Sequence, residues 1–181
     1  NNVTRVLVNT SAQYIKTILN VFLSLFSTRI VLDTLGVSDY GIYILIGGVV
    51  SLLSFFVNAM VVTTQRFMSF YSERSDVWKL KSIFNTSLYL HLIIGIIVIV
   101  FIEVIGLFLF DGFFNIPSER IGAAKIVYHI TGLIVFISFV TSPYRALLIS
   151  HENIVCISIV DILDGVLKLL SALLLINYSD D

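Results

Sequence analysis

Between Tyr40 and Gln65 the chain carries no Asp, Glu, Lys or Arg, and comparable apolar runs recur along its whole length. A membrane span needs about 20 mostly apolar residues at a rise of about 1.5 Å each. The sequence offers five such windows: residues 12–32, 40–65, 83–110, 121–150 and 154–177. Hydrophobic residues make up 57% of the chain and charged ones 13%, too few polar groups to cover a water-soluble surface. Lipid must cover it instead. Barrel strands alternate polar and apolar residues over about ten positions, whereas these runs stay apolar for twice that length. The β-branched stretch Ile93 to Val100 reads as strand in water, but window length decides for helix in a bilayer. The expected fold is all-α, a polytopic transmembrane bundle of about five helices.

Break signals agree with these windows. Leu35-Gly36 ends the first helix, and Asn115-Ile116-Pro117-Ser118-Glu119 reads as a turn into an N-capped helix. The shortest connection lies at His151-Glu152-Asn153, and Pro143 predicts a kink inside the fourth helix. The first window carries Lys16 and Arg29 and lacks a signal-peptide cleavage pattern, so it reads as a retained span. Asn at position 1, and Asp180 and Asp181 directly after an apolar run, fit a piece of a longer protein. Arg5, Arg66, Arg74, Lys79, Lys81 and Arg145 fall on one side of the predicted membrane. The other side holds Arg29, Arg120 and Lys125 among Asp33, Asp39, Asp111 and Glu119. Cytoplasmic loops are enriched in Lys and Arg, which places the N-terminus in the cytoplasm.

Polar residues inside the windows form stripes. Asn9, Gln13, Lys16, Asn20, Ser24 and Ser27 recur at steps of three or four, occupying one face over about 27 Å of helix. Tyr40, Gly47, Ser51, Ser54, Asn58 and Gln65 repeat the pattern on the second window. Helix packing through small residues and amides accounts for the second stripe. Lys16 and Asn20 exceed what packing needs and point to a water-filled, substrate-facing surface. On the fifth window Asp161, Asp164 and Lys168 share a face beside Ser158 and Gly165. Intramembrane ionisable groups face a cavity or a partner. Asp164 and Lys168 are spaced for an intrahelical ion pair, which leaves Asp161 as the uncompensated acid.

Other signals are weaker. Arg29 and Glu103 lie near the outer ends of their spans, Arg29 placed to snorkel to headgroups, and Lys125 and His129 form one short face. His91 and His151 lack metal-ligand spacing, and Cys156, the single cysteine, reads as core. No metal or cofactor is expected. Phosphate-binding glycine loops, nucleophile elbows and paired catalytic carboxylates outside the membrane are all missing from the sequence, so an enzyme is not expected. Near-zero net charge gives no reason to expect a nucleic-acid partner.

The segment Ser27-Thr28-Arg29-Ile30-Val31-Leu32-Asp33-Thr34-Leu35-Gly36-Val37-Ser38-Asp39-Tyr40-Gly41-Ile42-Tyr43 resembles the first-to-second helix junction of bacterial polysaccharide-export flippases. Thr64-Gln65-Arg66-Phe67, Asn115-Ile116-Pro117-Ser118-Glu119-Arg120 and Pro143-Tyr144 ahead of His151-Glu152 extend the resemblance over nearly the whole chain. The group is the O-antigen and capsule (Wzx-like) flippases, related to the MATE multidrug exporters and the lipid II flippases. The resemblance implies the N-terminal part of a two-bundle transporter in the bacterial inner membrane, the C-terminal bundle lying outside this chain. It implies export of undecaprenyl-diphosphate-linked oligosaccharide for cell-surface polysaccharide by alternating access. For that anion the candidate cavity residues are Lys16, Asn20, Asn58, Gln65 and Lys168, with Arg29 and Arg66 matching by motif position. Asp161 and Asp164 are the candidates for a coupling ion or proton. The alternatives are a MATE-like antiporter of cations or drugs, with both aspartates binding the cation, and a non-transporting membrane scaffold.

Overall fold

The computed structural model describes residues 2–73 and 76–178, so Arg74 of the predicted basic side, Asp180 and Asp181 lie outside the described residues. The described residues form an all-α bundle: α1 (Asn2–Ser51), α2 (Ser54–Glu73), α3 (Val77–Phe108), α4 (Ile121–Ser150) and α5 (Ile154–Tyr178). Three helical segments are long and apolar enough to cross a membrane: Val3–Ser72, Val77–Phe113 and Ser118–Ser150. The first covers two of the predicted windows. α5 is not among the three, and its middle carries Asp161, Asp164 and Lys168. Leu, Ile, Val and Phe side chains remain exposed along the outer faces of the helices, as on a protein solvated by lipid tails. This is a membrane protein.

The helices run longer than the predicted windows at several ends, and two breaks differ in kind. The break at Leu35-Gly36 appears as one residue: α1 continues past it, and Gly36 alone leaves helical geometry at φ 74°, ψ 168°. The second predicted window is interrupted at Leu52 and Leu53, where the Leu53 amide bonds to the Val50 carbonyl (3.1 Å) and the Phe56 amide to the Leu53 carbonyl (3.1 Å). Just before the interruption the Ser51 hydroxyl donates back to the Gly48 carbonyl at 2.8 Å, a local bond that competes with continuing the helix. The stripe expected along that window is thus split between the end of α1 and the start of α2.

The chain divides into two units, residues 1–40 with 151–181, and residues 41–150. The second unit contains α2, α3, α4 and the end of α1. Its core is Ile46, Val50, Ile102, Ala124, Tyr128, Val135 and Phe139. Large side chains of one helix sit on glycines of the other between α3 and α4. A Cβ on Gly95 would lie 3.2 Å from Phe139 Cβ, one on Gly106 2.7 Å from the Tyr128 ring, and one on Gly132 3.2 Å from Ile102. The buried Tyr128 hydroxyl donates to the Ile102 carbonyl at 2.6 Å. Between α2 and α3, the Thr64 and Ser87 hydroxyls meet at 2.8 Å, and within α3 His91 Nδ1 donates to the Ser87 carbonyl at 2.6 Å.

Pro143 lies inside α4, which runs through it as a single helix, and its side chain is fully buried. Proline removes the amide that the Phe139 carbonyl would have received, and the buried Ser142 hydroxyl bonds that carbonyl at 2.8 Å instead. The Asn115–Glu119 turn is present, but the following helix starts on a backbone bond from the Arg120 amide to the Pro117 carbonyl (2.9 Å), with no side-chain cap.

In the first unit, residues 2–40 of α1 lie beside α5. Glu152, in the turn before α5, has φ 55°, and Asn153 Oδ1 accepts the Cys156 amide at 3.4 Å.

Gly36 occupies a backbone region open essentially to glycine, and no atom beyond the adjoining chain lies within 4 Å of where its Cβ would stand. Gly36→Ala is therefore expected to destabilise the protein by about 1–3 kcal/mol through backbone strain alone. Gly41→Ala, equally unobstructed but in ordinary helix, is expected to be neutral or slightly stabilising. Thermal unfolding in detergent compares the two; equal midpoints would refute the strain at Gly36.

Candidate functional site: a polar seam between α1 and α5

Part of the stripe on α1 meets α5 and the turn before it. Arg5 Nε lies 3.4 Å from the Glu152 carboxylate, its guanidinium also donates to the His151 carbonyl, and Asn9 Nδ2 donates to the Glu152 carbonyl at 2.8 Å. Further along, Lys16 Nζ is 3.1 Å from Asp161 Oδ2. Next, the Asn20 carboxamide packs on Gly165, where a Cβ would lie 2.9 Å from Asn20 Oδ1. The contacts advance in the same direction on both helices, so the two run parallel. Gly165 gives Asn20 its room, because any side chain there collides with the amide oxygen.

The sequence assigned Lys16 to cargo and left Asp161 uncompensated; in the structure they are partners. Their side chains are 13% and 21% exposed, so the pair sits largely out of water. Removing two charges from water costs several kcal/mol per ion, roughly, and is offset only with a close partner. Two polar atoms beside the pair remain unused. Asn20 Oδ1 and Ser158 Oγ are buried without a hydrogen bond, and Ser158 is 3% exposed. Each such group costs about 1–3 kcal/mol, so the seam holds an unspent acceptor and an unspent hydroxyl next to an ion pair. It presents an ammonium, a carboxylate, an amide and a hydroxyl in otherwise apolar helices. That set can hold an anion on Lys16, or a proton or small cation on Asp161, and either event must loosen the pair.

The other candidates are placed differently. Asp164 and Lys168 form an intrahelical pair at 2.6 Å, both more than half exposed. Arg29 pairs with Asp33 at 3.7 Å on an exposed face of α1. Asn58 and Arg66 are exposed and Gln65 half-buried on α2, in the second unit. Gln13 and Ser24 of the first stripe are exposed, while Asn9, Lys16, Asn20 and Ser27 are half-buried. Sequence reasoning missed that Lys16 and Asp161 are one pair and that Glu152 anchors Arg5. Both helices carry polar residues at matching intervals, but the offset between two helices far apart in sequence is not written in either of them.

No protein-family model matches this chain, and no curated protein or solved structure matches it either.

Removing one member of the pair leaves a largely buried charge. Lys16→Met or Asp161→Leu alone is expected to destabilise by about 3 kcal/mol, while the double substitution recovers most of that loss. A double-mutant cycle of unfolding midpoints in detergent measures this; additive effects would mean that the two charges do not depend on each other.

Proposed function

We propose that this chain is part of a membrane flippase that moves undecaprenyl-diphosphate-linked oligosaccharide to the outer leaflet of the bacterial inner membrane, its N-terminus in the cytoplasm. Supporting this are the helix-junction motifs around Arg29, Arg66 and Pro143, and above all the Lys16–Asp161 pair set in apolar helices beside unused groups on Asn20 and Ser158. A structural pair would gain nothing from unsatisfied neighbours. A binding seam needs them.

The chemistry follows from competition for one ammonium. A diphosphate is a stronger partner for Lys16 than a single carboxylate, through charge-assisted bonds to several oxygens. The cargo draws Lys16 off Asp161. Once the cargo has left at the outer face, a proton or small cation from outside takes Asp161, and its release inside lets the pair re-form, so an inward-moving ion drives the outward-moving cargo. In this scheme the second bundle, outside this chain, closes the cavity, and the two rock about it in alternating access. Asp161 already holds an ammonium, which makes it a poorer seat for an organic cation than an open carboxylate.

Lys16→Ala with Asn20→Ala is the direct test. Surface polysaccharide in cells is expected to fall about tenfold or more, the loss of at least one charge-assisted contact, with protein in the membrane at normal levels. Unchanged polysaccharide at normal protein levels would favour a non-transporting scaffold.

A further inference from the structure

In the second unit a cavity of about 430 Å³ opens where the end of α3 adjoins the start of α4. The α3 side contributes Glu103, Asp111, Leu107 and Phe110, and α4 contributes Lys125 and His129. The volume falls in the range of about 300–1,000 Å³ of small-molecule sites. Glu103 and His129 are joined, with His129 Nδ1 lying 2.9 Å from both carboxylate oxygens. A carboxylate only accepts, so Nδ1 carries the hydrogen and Nε2 is left for other bonds. Lys125 Nζ lies over the Phe110 ring, 5.8 Å from its centroid. That ring is held by edge contacts to Tyr128 and Phe114, each at 5.5 Å. Asp111 reaches the pocket because α3 widens into a π-helical turn over Leu109–Phe113, closed by the Phe114 amide on the Leu109 carbonyl at 2.8 Å. Such turns recur at functional sites.

Both signs of charge line this one pocket. A simple anion would meet two carboxylates, and a simple cation would meet Lys125. The ligand that satisfies every wall carries an ammonium and a phosphate a few bonds apart. Leu107, which lines the pocket, and its neighbour Phe108 are each 73% exposed and give apolar surface beside it, and the pocket lies at the ends of two segments long and apolar enough to cross a membrane, the level of lipid headgroups. We propose that this pocket binds a zwitterionic phosphoethanolamine headgroup, carried by a bilayer lipid whose tails run along Leu107 and Phe108. The ammonium faces Glu103 and Asp111, and the phosphate faces Lys125 and His129. An undecaprenyl diphosphate lacks the ammonium, so this site is separate from the cargo seam.

The test is photo-cross-linking of the full-length protein in vesicles with a photoactivatable phosphatidylethanolamine, competed by phosphatidylethanolamine, by phosphatidylglycerol and by soluble O-phosphoethanolamine. Cross-links are expected on α3 and α4 peptides and are displaced by phosphatidylethanolamine far better than by phosphatidylglycerol. Glu103→Gln and Lys125→Gln are each expected to weaken labelling about threefold to tenfold, the share of one charge-assisted contact in a half-open pocket. Asp111→Asn replaces the Glu103 variant if that protein is not monodisperse. Displacement by O-phosphoethanolamine at the same concentration as the lipid would keep the headgroup chemistry and overturn the lipid as its source. Equal displacement by phosphatidylglycerol, or an effect confined to the acidic or to the basic substitutions, would overturn the proposal.

Discussion

A peptide chain in hydrocarbon finds no water for its amides and carbonyls, and every feature of this fold answers to that constraint. Helices satisfy it along nearly the whole described chain, and the exceptions are repaired locally. Pro143 deprives the Phe139 carbonyl of its amide, and the Ser142 hydroxyl takes its place. At Leu52 and Leu53 the backbone changes to shorter-range bonds rather than leaving groups open. Helices whose backbones are closed in this way have little hydrophobic reason to associate in lipid, so association rests on close fit. The glycine seats between α3 and α4 supply it: Tyr128 fills the space above Gly106, and its hydroxyl finds the Ile102 carbonyl.

The same constraint separates two kinds of charge. Arg29–Asp33 and Asp164–Lys168 are pairs within one helix, exposed and self-sufficient, and they ask nothing of the fold. Lys16–Asp161 joins two helices and is largely withdrawn from water, so it depends on α1 and α5 keeping their register. Asn20 on Gly165 and Asn9 on Glu152 set that register on either side of the pair. An ion pair held this way is sensitive to anything that offers either partner a better counter-charge.

Helical architecture and the apolar, membrane-suited character of the helices were legible from residue order alone, because the length of an apolar run is a local quantity and lipid permits one solution to it. Gly36 was legible as a break because it is a glycine placed between runs, and the Asp164–Lys168 pair because four residues make one helical turn. The interruption at Leu52–Leu53 was not: its residues are as apolar as their neighbours, and the Ser51 hydroxyl that competes there looked like a member of a stripe. Which stripe residues meet a partner was likewise decided by contact, with Asn9, Lys16 and Asn20 half-buried against their partners while Gln13 and Ser24 stay exposed. The partnership of Lys16 with Asp161, and the gathering of Glu103, Asp111, Lys125 and His129 around one pocket, belong to the tertiary structure alone. Periodicity tells which residues share a face of one helix. The offset between two helices is set by where large side chains find glycines, and that information is spread over both partners.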